Sequence, residues 1–188
     1  MSAPIQSARR LIQRKDAVLV VIDVQERLLP HITGGEAIVA NIAKLAQFAR
    51  IIGLPVVVTE QVKLGGTIPG IAQHLPDVEP ITKAEFGCLG CEGFTRALST
   101  LGRSTLILVG IEAHICVGQT ALQALEGYTV HVVSDAVGSR SPDNRQVALE
   151  RMRQAGAVIT STEMVMYELL ARAGTDEFRA VLPLVKNA

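Results

Sequence analysis

One stretch of this chain combines a cysteine with a turn suited to nucleophilic chemistry. The apolar run of residues 106–109 is followed by Gly110, and a helical pattern at residues 121–125 comes shortly after Cys116. An apolar run that ends in glycine and opens into such a pattern predicts a strand, a turn and a helix. Cys116 is therefore expected in the first helical turn, where the positive helix end and free N–H groups lower a thiol's pKa and can hold an anion.

Two further reactive side chains come at the ends of predicted strands. Asp23 ends the apolar run of residues 17–22, and Lys83 ends an extended piece at residues 78–82. Ligands of an open parallel sheet bind beyond the carboxyl ends of its strands, so these two side chains and Cys116 are expected to meet at one edge. An aspartate can take a thiol's proton, and a lysine can stabilise the resulting negative charge. Taken singly, each residue also fits a structural role, as a turn residue, a solvated charge or a packing residue.

The order of the predicted elements indicates the fold class. Strand patterns alternate with helix patterns along the whole chain, without a linker, a repeat or a low-complexity segment. Such alternation is typical of a mainly parallel sheet with helices on both faces. We therefore expect an α/β protein, a three-layer α/β/α sandwich with a doubly wound sheet of about six strands. A single domain is expected over residues 16–188, after a flexible N-terminal segment over residues 1–15.

The composition narrows the classes of partner and compartment. The 18 Lys and Arg residues balance the 18 Asp and Glu residues, which argues against nucleic acid or an anionic membrane as a partner. No apolar stretch is long enough to cross a bilayer. An odd number of cysteines, three, fits a reducing compartment better than a disulfide framework, so we expect a cytoplasmic protein.

Cys88 and Cys91 form the CxxC motif of this chain, which raises zinc binding or thiol redox chemistry as alternatives. The motif has no second pair and no histidine within a few residues. Zinc sites are usually built from four such ligands, so the motif alone is a weak signal. The favoured interpretation is that Cys88 and Cys91 are two small residues at the start of a helix. A redox protein that uses this pair remains an alternative.

Several segments together resemble the isochorismatase-like cysteine hydrolases, the superfamily that includes the nicotinamidases. The segments are residues 18–25, 109–117, 135–140 and 151–156, with shorter pieces at residues 59–61 and 161–163. The similarity runs from about residue 16 to the end of the chain. It is closest to the isochorismatase domain-containing proteins, whose substrates are mostly unknown.

The resemblance implies roles for particular residues. Asp23 would be the general base, Lys83 the group that stabilises the anion, and Cys116 the nucleophile that attacks a carbonyl carbon. Ammonia or an amine would leave, and water would hydrolyse the thioester. The family also has a cis peptide bond before its oxyanion turn, here between Ile111 and Glu112, and the backbone N–H groups of Glu112 and Cys116 would bind the oxyanion.

Three further residues are candidates for the substrate pocket or its support. Gln25 lies two residues past Asp23 and is expected to orient it. Phe86 follows Lys83 closely and is expected to line the pocket, with a core aromatic as the alternative. His114 lies inside the turn and faces either the pocket or a neighbouring subunit, although a structural histidine is the favoured interpretation.

The chain departs from the nicotinamidases in the loop after the second strand. Those enzymes carry an Asp/His metal cluster there, whereas residues 61–67 contain none and His74 is the one histidine nearby. We therefore expect no metal and no cofactor, and nicotinamide is a disfavoured substrate.

The leading hypothesis is a metal-independent cysteine hydrolase that cleaves a small amide or similar C–N bond in a small-molecule substrate. The alternatives are a non-catalytic small-molecule-binding or scaffold protein on the same fold, and a vinyl-ether hydrolase of the isochorismate-cleaving type. The resemblance also implies a homo-oligomer, a dimer or larger.

Overall fold

The computed structural model describes residues 11–186, in which six parallel strands form one sheet. The strands are β1 (Ala17–Ile22), β2 (Val56–Gln61), β3 (Ile81–Lys83), β4 (Thr105–Ile111), β5 (Thr129–Gly138) and β6 (Val158–Thr160). Their order across the sheet is β3-β2-β1-β4-β5-β6, and every neighbouring pair is parallel. Strand order reverses between β1 and β4, and folds of this class bind ligands beyond the carboxyl ends of the strands at this point.

Helices cover both faces of the sheet. They are α1 (Gly35–Ile52), α2 (Pro69–Ala72), α3 (Glu92–Leu101), α4 (Gly118–Ala124), α5 (Pro142–Ala155), α6 (Thr162–Leu170) and α7 (Asp176–Lys186). One apolar core lies between the sheet and helices α1, α6 and α7, and a second lies between the sheet and helices α3, α4 and α5. The expected three-layer, doubly wound α/β/α sandwich is confirmed.

The strand β1 shows how the sequence specifies this architecture. All six of its residues are buried, and they alternate between the two cores. Leu19 and Val21 face one core, while Val18, Val20 and Ile22 face the other. A strand that is apolar on both faces is stable only between two helical layers, which is why the run lacks polar alternation.

Two elements differ from the sequence-based expectation. The helix predicted from Cys116 begins later, at Gly118, because residues Ala113–Val117 form a π-helical turn whose Val117 N–H donates to Glu112 O at 3.2 Å. The sequence pattern predicts a strand over residues 128–134, whereas strand β5 continues to Gly138. Its pairing with β4 shifts register between Leu108 and Gly110, so the second half of β5 pairs through a bulge that hydrophobic periodicity does not reveal.

Part of the segment predicted to be flexible lies against the domain. Residues 1–10 lie outside the described residues, so the prediction is untested there. Ile12 is buried, and its N–H donates to Glu168 Oε2 at 2.9 Å. Arg14 pairs with Glu177 on α7 at 2.9 Å. These contacts hold residues 11–15 against α6 and α7. Within residues 11–186, no helix is both long and apolar enough to span a membrane.

A histidine in the core gives a prediction for stability. His131 on β5 is 2% exposed, and its Nδ1 has no hydrogen-bond partner among the described residues. Burial lowers the pKa of His131 to about 4, below its ordinary value of 6.5. Between these two pKa values, His131 binds a proton in the unfolded chain but not in the folded one. The free energy of unfolding therefore falls by about 3 kcal/mol as the pH drops from about 6.5 to about 4. Urea unfolding over this range should show the loss, and His131→Gln should reduce the slope; an unchanged slope would contradict the assignment.

Candidate active site

Asp23 lies at the point where strand order reverses. Ile22, the last residue of β1, pairs with Gly110 of β4, so the chain reaches Asp23 beside the turn that carries Cys116. Asp23 has a left-handed backbone conformation (φ 53°) and is fully buried. Its carboxylate accepts hydrogen bonds from Lys83 Nζ at 2.6 Å on Oδ2 and from Thr59 Oγ1 at 2.8 Å on Oδ1. The buried carboxylate is thus paired with a cation and hydrogen-bonded on both oxygens.

Lys83 is held in a cage of acceptors. It ends β3, is 2% exposed, and donates from Nζ to Asp23 and to Gln61 Oε1 at 2.9 Å. The carbonyl oxygens of Glu85 and Phe86 lie at 3.1 and 3.4 Å from the same nitrogen. Burial lowers the pKa of Lys83, but the negative charge and hydrogen bond of Asp23 outweigh it and raise the pKa above 10.5. An ammonium group has three N–H donors, so Lys83 can stabilise an anion through its charge while its donors remain occupied.

Cys116 lies in the π-helical turn, close enough to Asp23 for the negative charge of the carboxylate to act on its thiol. Its side chain is almost covered, with 6% of the residue exposed. Burial, followed by the negative charge of Asp23, raises the pKa of the Cys116 thiol to about 12, and the charge of Lys83 only partly offsets this. The expectation of a lowered pKa is therefore wrong, because the α-helix starts two residues later and the thiol is buried beside a carboxylate. The free protein carries Cys116 as a neutral thiol.

The turn before Cys116 is built on a close approach of two strands. Gly110 has φ +123°, and a Cβ atom there would lie 2.1 Å from Ile22 O, so no other residue fits. The peptide bond between Ile111 and Glu112 is cis, as the resemblance implied. The buried Glu112 carboxylate accepts from Arg140 N at 2.9 Å and Arg140 Nε at 3.1 Å. These bonds anchor the turn to the segment after β5, while its oxyanion role stays a prediction.

Gln25 does not orient the Asp23 carboxylate, so that expectation is wrong. Its Nε2 donates to Gln61 O at 2.9 Å and to Gly65 O at 2.6 Å, and its Oε1 accepts from Gln61 N at 2.8 Å. All three bonds go to main-chain atoms at the end of β2 and in the following loop. Gln25 therefore fixes the end of β2, where Gln61, a side-chain partner of Lys83, lies.

The two remaining pocket candidates lie differently. The Phe86 residue is 55% exposed, which excludes the core-aromatic alternative, and its carbonyl contacts Lys83. His114 is half-buried, and its Nδ1 lies 3.0 Å from the Oγ of the buried Ser139. This contact supports the structural interpretation of His114. Phe86 stays a candidate for the rim of the pocket.

Sequence reasoning missed several polar contacts around the triad. Thr59 donates a hydrogen bond to Asp23, and Gln61 accepts one from Lys83. Thr120 Oγ1 donates to Cys116 O at 2.6 Å and accepts from Cys88 N at 2.9 Å. Cys88 is fully buried, and burial raises the pKa of its thiol to about 11. The one sequence signal was that residues 59–61 belong to the segments carrying the family resemblance.

The CxxC cysteines make separate contacts in this structure. All three cysteines are free thiols. Cys88 Sγ lies 3.9 Å from Thr59 Oγ1, whereas Cys91 Sγ donates to Thr82 O at 3.8 Å. Across residues 11–186, no cluster of three or more His, Cys, Asp or Glu side chains is arranged to hold a metal ion.

Comparison with known proteins shows the family of this chain. The family model described as Isochorismatase domain matches residues 17–164, which is more than half of the chain. The chain belongs to the isochorismatase family. The secreted isochorismatase effector Isc1 of Phytophthora sojae is 41% identical, over all of this chain and 92% of its own length.

Three solved structures share the fold closely. The MAR1 ribonuclease of Caenorhabditis elegans superposes with a TM-score of 0.88 at 35% identity, covering 94% of this chain and 93% of its own. The YcaC protein of Escherichia coli, described as an octameric hydrolase of unknown specificity, gives a TM-score of 0.88 at 29% identity over 94% and 90%. YcaC of Pseudomonas aeruginosa, solved with covalent acrylamide, gives 0.87 at 28% identity over 94% and 92%.

Proposed function

We propose that this isochorismatase-family protein is a metal-independent cysteine hydrolase. It cleaves a small amide or similar C–N bond through a thioester on Cys116. The observation that carries the proposal is the position of Asp23, a buried carboxylate that is paired with the Lys83 ammonium and whose charge acts on the Cys116 thiol. These three groups meet where strand order reverses, which is the binding edge of such sheets.

The Cys116 thiol can act as a nucleophile despite its high pKa, because transfer of its proton to Asp23 leaves the net charge of the site unchanged. Loss of the Cys116 proton to solvent would leave a net negative charge in a buried cluster, which is why the thiol pKa is high. Transfer of that proton to Asp23 moves the negative charge from carboxylate to sulfur and leaves the total unchanged. The Lys83 ammonium stabilises the negative charge both before and after the transfer. The thiolate therefore forms during attack, with Asp23 as general base.

The chemical steps then use groups that the chain supplies. Cys116 Sγ bonds to the carbonyl carbon, and the carbonyl oxygen becomes an oxyanion held by the backbone N–H groups of Glu112 and Cys116. Protonated Asp23 returns its proton to the leaving nitrogen as the C–N bond breaks. Water, deprotonated by Asp23, attacks the thioester; the C–S bond breaks, and the thiol regains its proton. Lys83 stabilises each negative intermediate through its charge.

The relatives support a reactive nucleophile. The YcaC protein of P. aeruginosa carries covalent acrylamide, and the E. coli protein is described as a hydrolase. Acrylamide is an electrophile that thiolates attack readily, because sulfur is a soft nucleophile. In this chain, Cys116 is the thiol to which such an electrophile is expected to add.

The proposal includes self-association and a cytoplasmic location. The E. coli YcaC structure is described as octameric, and Met164 and Tyr167 expose apolar surface on α6 here. A second copy of the chain fits such a surface. Free cysteines fit a reducing compartment, although the P. sojae relative is described as secreted.

A panel of small amides and activated esters, read by release of ammonia, amine or alcohol, tests the proposal. At least one member should be hydrolysed, and Cys116→Ala should reduce its turnover by roughly 10³-fold or more. Cys91→Ala is the matched control, because Cys91 is a thiol outside the triad, and it should keep full activity. Turnover that survives in Cys116→Ala contradicts the proposal. Binding of panel members without turnover or acylation supports the non-catalytic alternative.

A further inference from the structure

Thr59 holds Asp23 at two points. The Asp23 N–H donates to Thr59 O at 3.1 Å, and Thr59 Oγ1 donates to Asp23 Oδ1 at 2.8 Å. Both residues are fully buried, so water does not compete for these bonds. Hydrogen bonds to a charged acceptor in such surroundings are stronger than neutral ones. Thr59 therefore controls both the backbone and the side chain of the proposed base.

The plane of the Asp23 carboxylate depends on having a different donor on each oxygen. Lys83 donates to Oδ2, and Thr59 donates to Oδ1. The Lys83 ammonium is fixed by its other acceptors, Gln61 Oε1 and two carbonyl oxygens. With Lys83 alone, the carboxylate could turn about its Cβ–Cγ bond and still keep one bond. The second donor prevents this rotation.

Cys88 connects Thr59 to the residue that carries the nucleophile. The Thr59 hydroxyl proton points to the charged carboxylate, which is the stronger acceptor. The Cys88 thiol, 3.9 Å from Thr59 Oγ1, is then the donor of that weaker contact. The Cys88 N–H donates to Thr120 Oγ1, which donates to Cys116 O at 2.6 Å. This chain of contacts links base and nucleophile without passing through Lys83.

We infer that Thr59 is a positioning residue for the proposed hydrolysis. Its hydroxyl keeps the Asp23 carboxylate turned toward the Cys116 thiol. The buried contacts through Cys88 and Thr120 fix the position of Thr59 relative to Cys116. The inference rests on the proposed function for its role in turnover. In the wild-type protein, Cys116 is expected to pass its proton to Asp23 when it reacts with any electrophile, so the inference can also be tested without a substrate.

The test compares Thr59→Val, which keeps the shape and removes the hydroxyl, with Thr59→Ser, which keeps the hydroxyl. The substrate-independent readout is alkylation of Cys116 by iodoacetamide at neutral pH, followed by peptide mass. In that reaction the S–C bond forms, iodide leaves, and Asp23 takes the proton. Thr59→Val should slow alkylation and kcat about 10- to 100-fold with little change in KM, and Thr59→Ser should restore both to near wild type.

Thr160→Val is the matched control for loss of a buried hydroxyl. Thr160 lies on β6, and its Oγ1 has no hydrogen-bond partner among the described residues, so both rates should stay unchanged. Thermal unfolding identifies a variant that fails to fold, in which case Thr59→Ala replaces Thr59→Val. Normal alkylation in Thr59→Val, or an equal defect in Thr59→Ser, overturns the inference. If no panel compound is hydrolysed, the proposed function fails, and the alkylation rates alone decide the role of Thr59.

Discussion

An Asp23→Asn variant is expected to lose hydrolysis by about 10²- to 10⁴-fold, although its Cys116 thiol should ionise more easily than in the wild type. Burial, followed by the negative charge of Asp23, raises the pKa of the thiol to about 12, and the charge of Lys83 lowers it. Asparagine removes the negative charge and leaves the ammonium beside the sulfur. An amide can neither take the thiol proton nor return it to the leaving nitrogen, so easier ionisation does not rescue turnover.

Ultraviolet absorbance of the thiolate during a pH titration measures this effect. Subtraction of the titration of the corresponding Cys116→Ala variant removes the contributions of Cys88 and Cys91. The difference curve should move to lower pH in Asp23→Asn while turnover is lost. A curve that moves to higher pH, or a variant that keeps its turnover, contradicts the role of Asp23 as a base that also holds the thiol protonated.

A Lys83→Met variant is expected to be less stable by about 3–5 kcal/mol. Methionine has a similar length, but it removes the cation that lies 2.6 Å from a fully buried carboxylate. Thr59 then remains as the side-chain donor to Asp23, and one neutral hydrogen bond does not compensate a buried charge. Turnover should fall as well, because the negative intermediates lose the charge that stabilises them.

The double variant Asp23→Asn/Lys83→Met separates charge from packing. It contains neither member of the ion pair, so no uncompensated charge is buried, and it should be more stable than Lys83→Met alone. Urea unfolding of both variants and the wild type supplies the comparison. A double variant no more stable than the single one would show that the loss comes from the shape of the side chain, and the electrostatic account of the site would be wrong.

The fold was predictable because it depends on local patterns. The uninterrupted apolar run of β1 indicates a strand buried on both faces, and Gly53, Gly102 and Gly156 each end a helix in the left-handed conformation that glycine favours. The positions of Asp23 and Lys83 followed from the same reasoning, because side chains that end parallel strands share one edge. Neither conclusion required knowledge of a tertiary contact.

The errors concern properties that depend on tertiary contacts. The pKa of Cys116 was predicted from its distance to a helix start, whereas burial and the neighbouring Asp23 decide it. Gln25 was assigned to Asp23 because the two are close in sequence, but its side chain reaches across to Gln61 and Gly65. Thr59 was missed because a threonine inside a strand resembles any other β-branched residue until its neighbours are known.

Cys116 is proposed to carry the acyl group of the substrate. Mixing the protein with an activated ester from the panel, stopping the reaction with acid within one turnover and measuring peptide masses tests it most directly. We expect one acyl group, confined to the peptide that contains Cys116, which forms and then disappears as product is released. Product release with no acyl group on Cys116 at any time would contradict it.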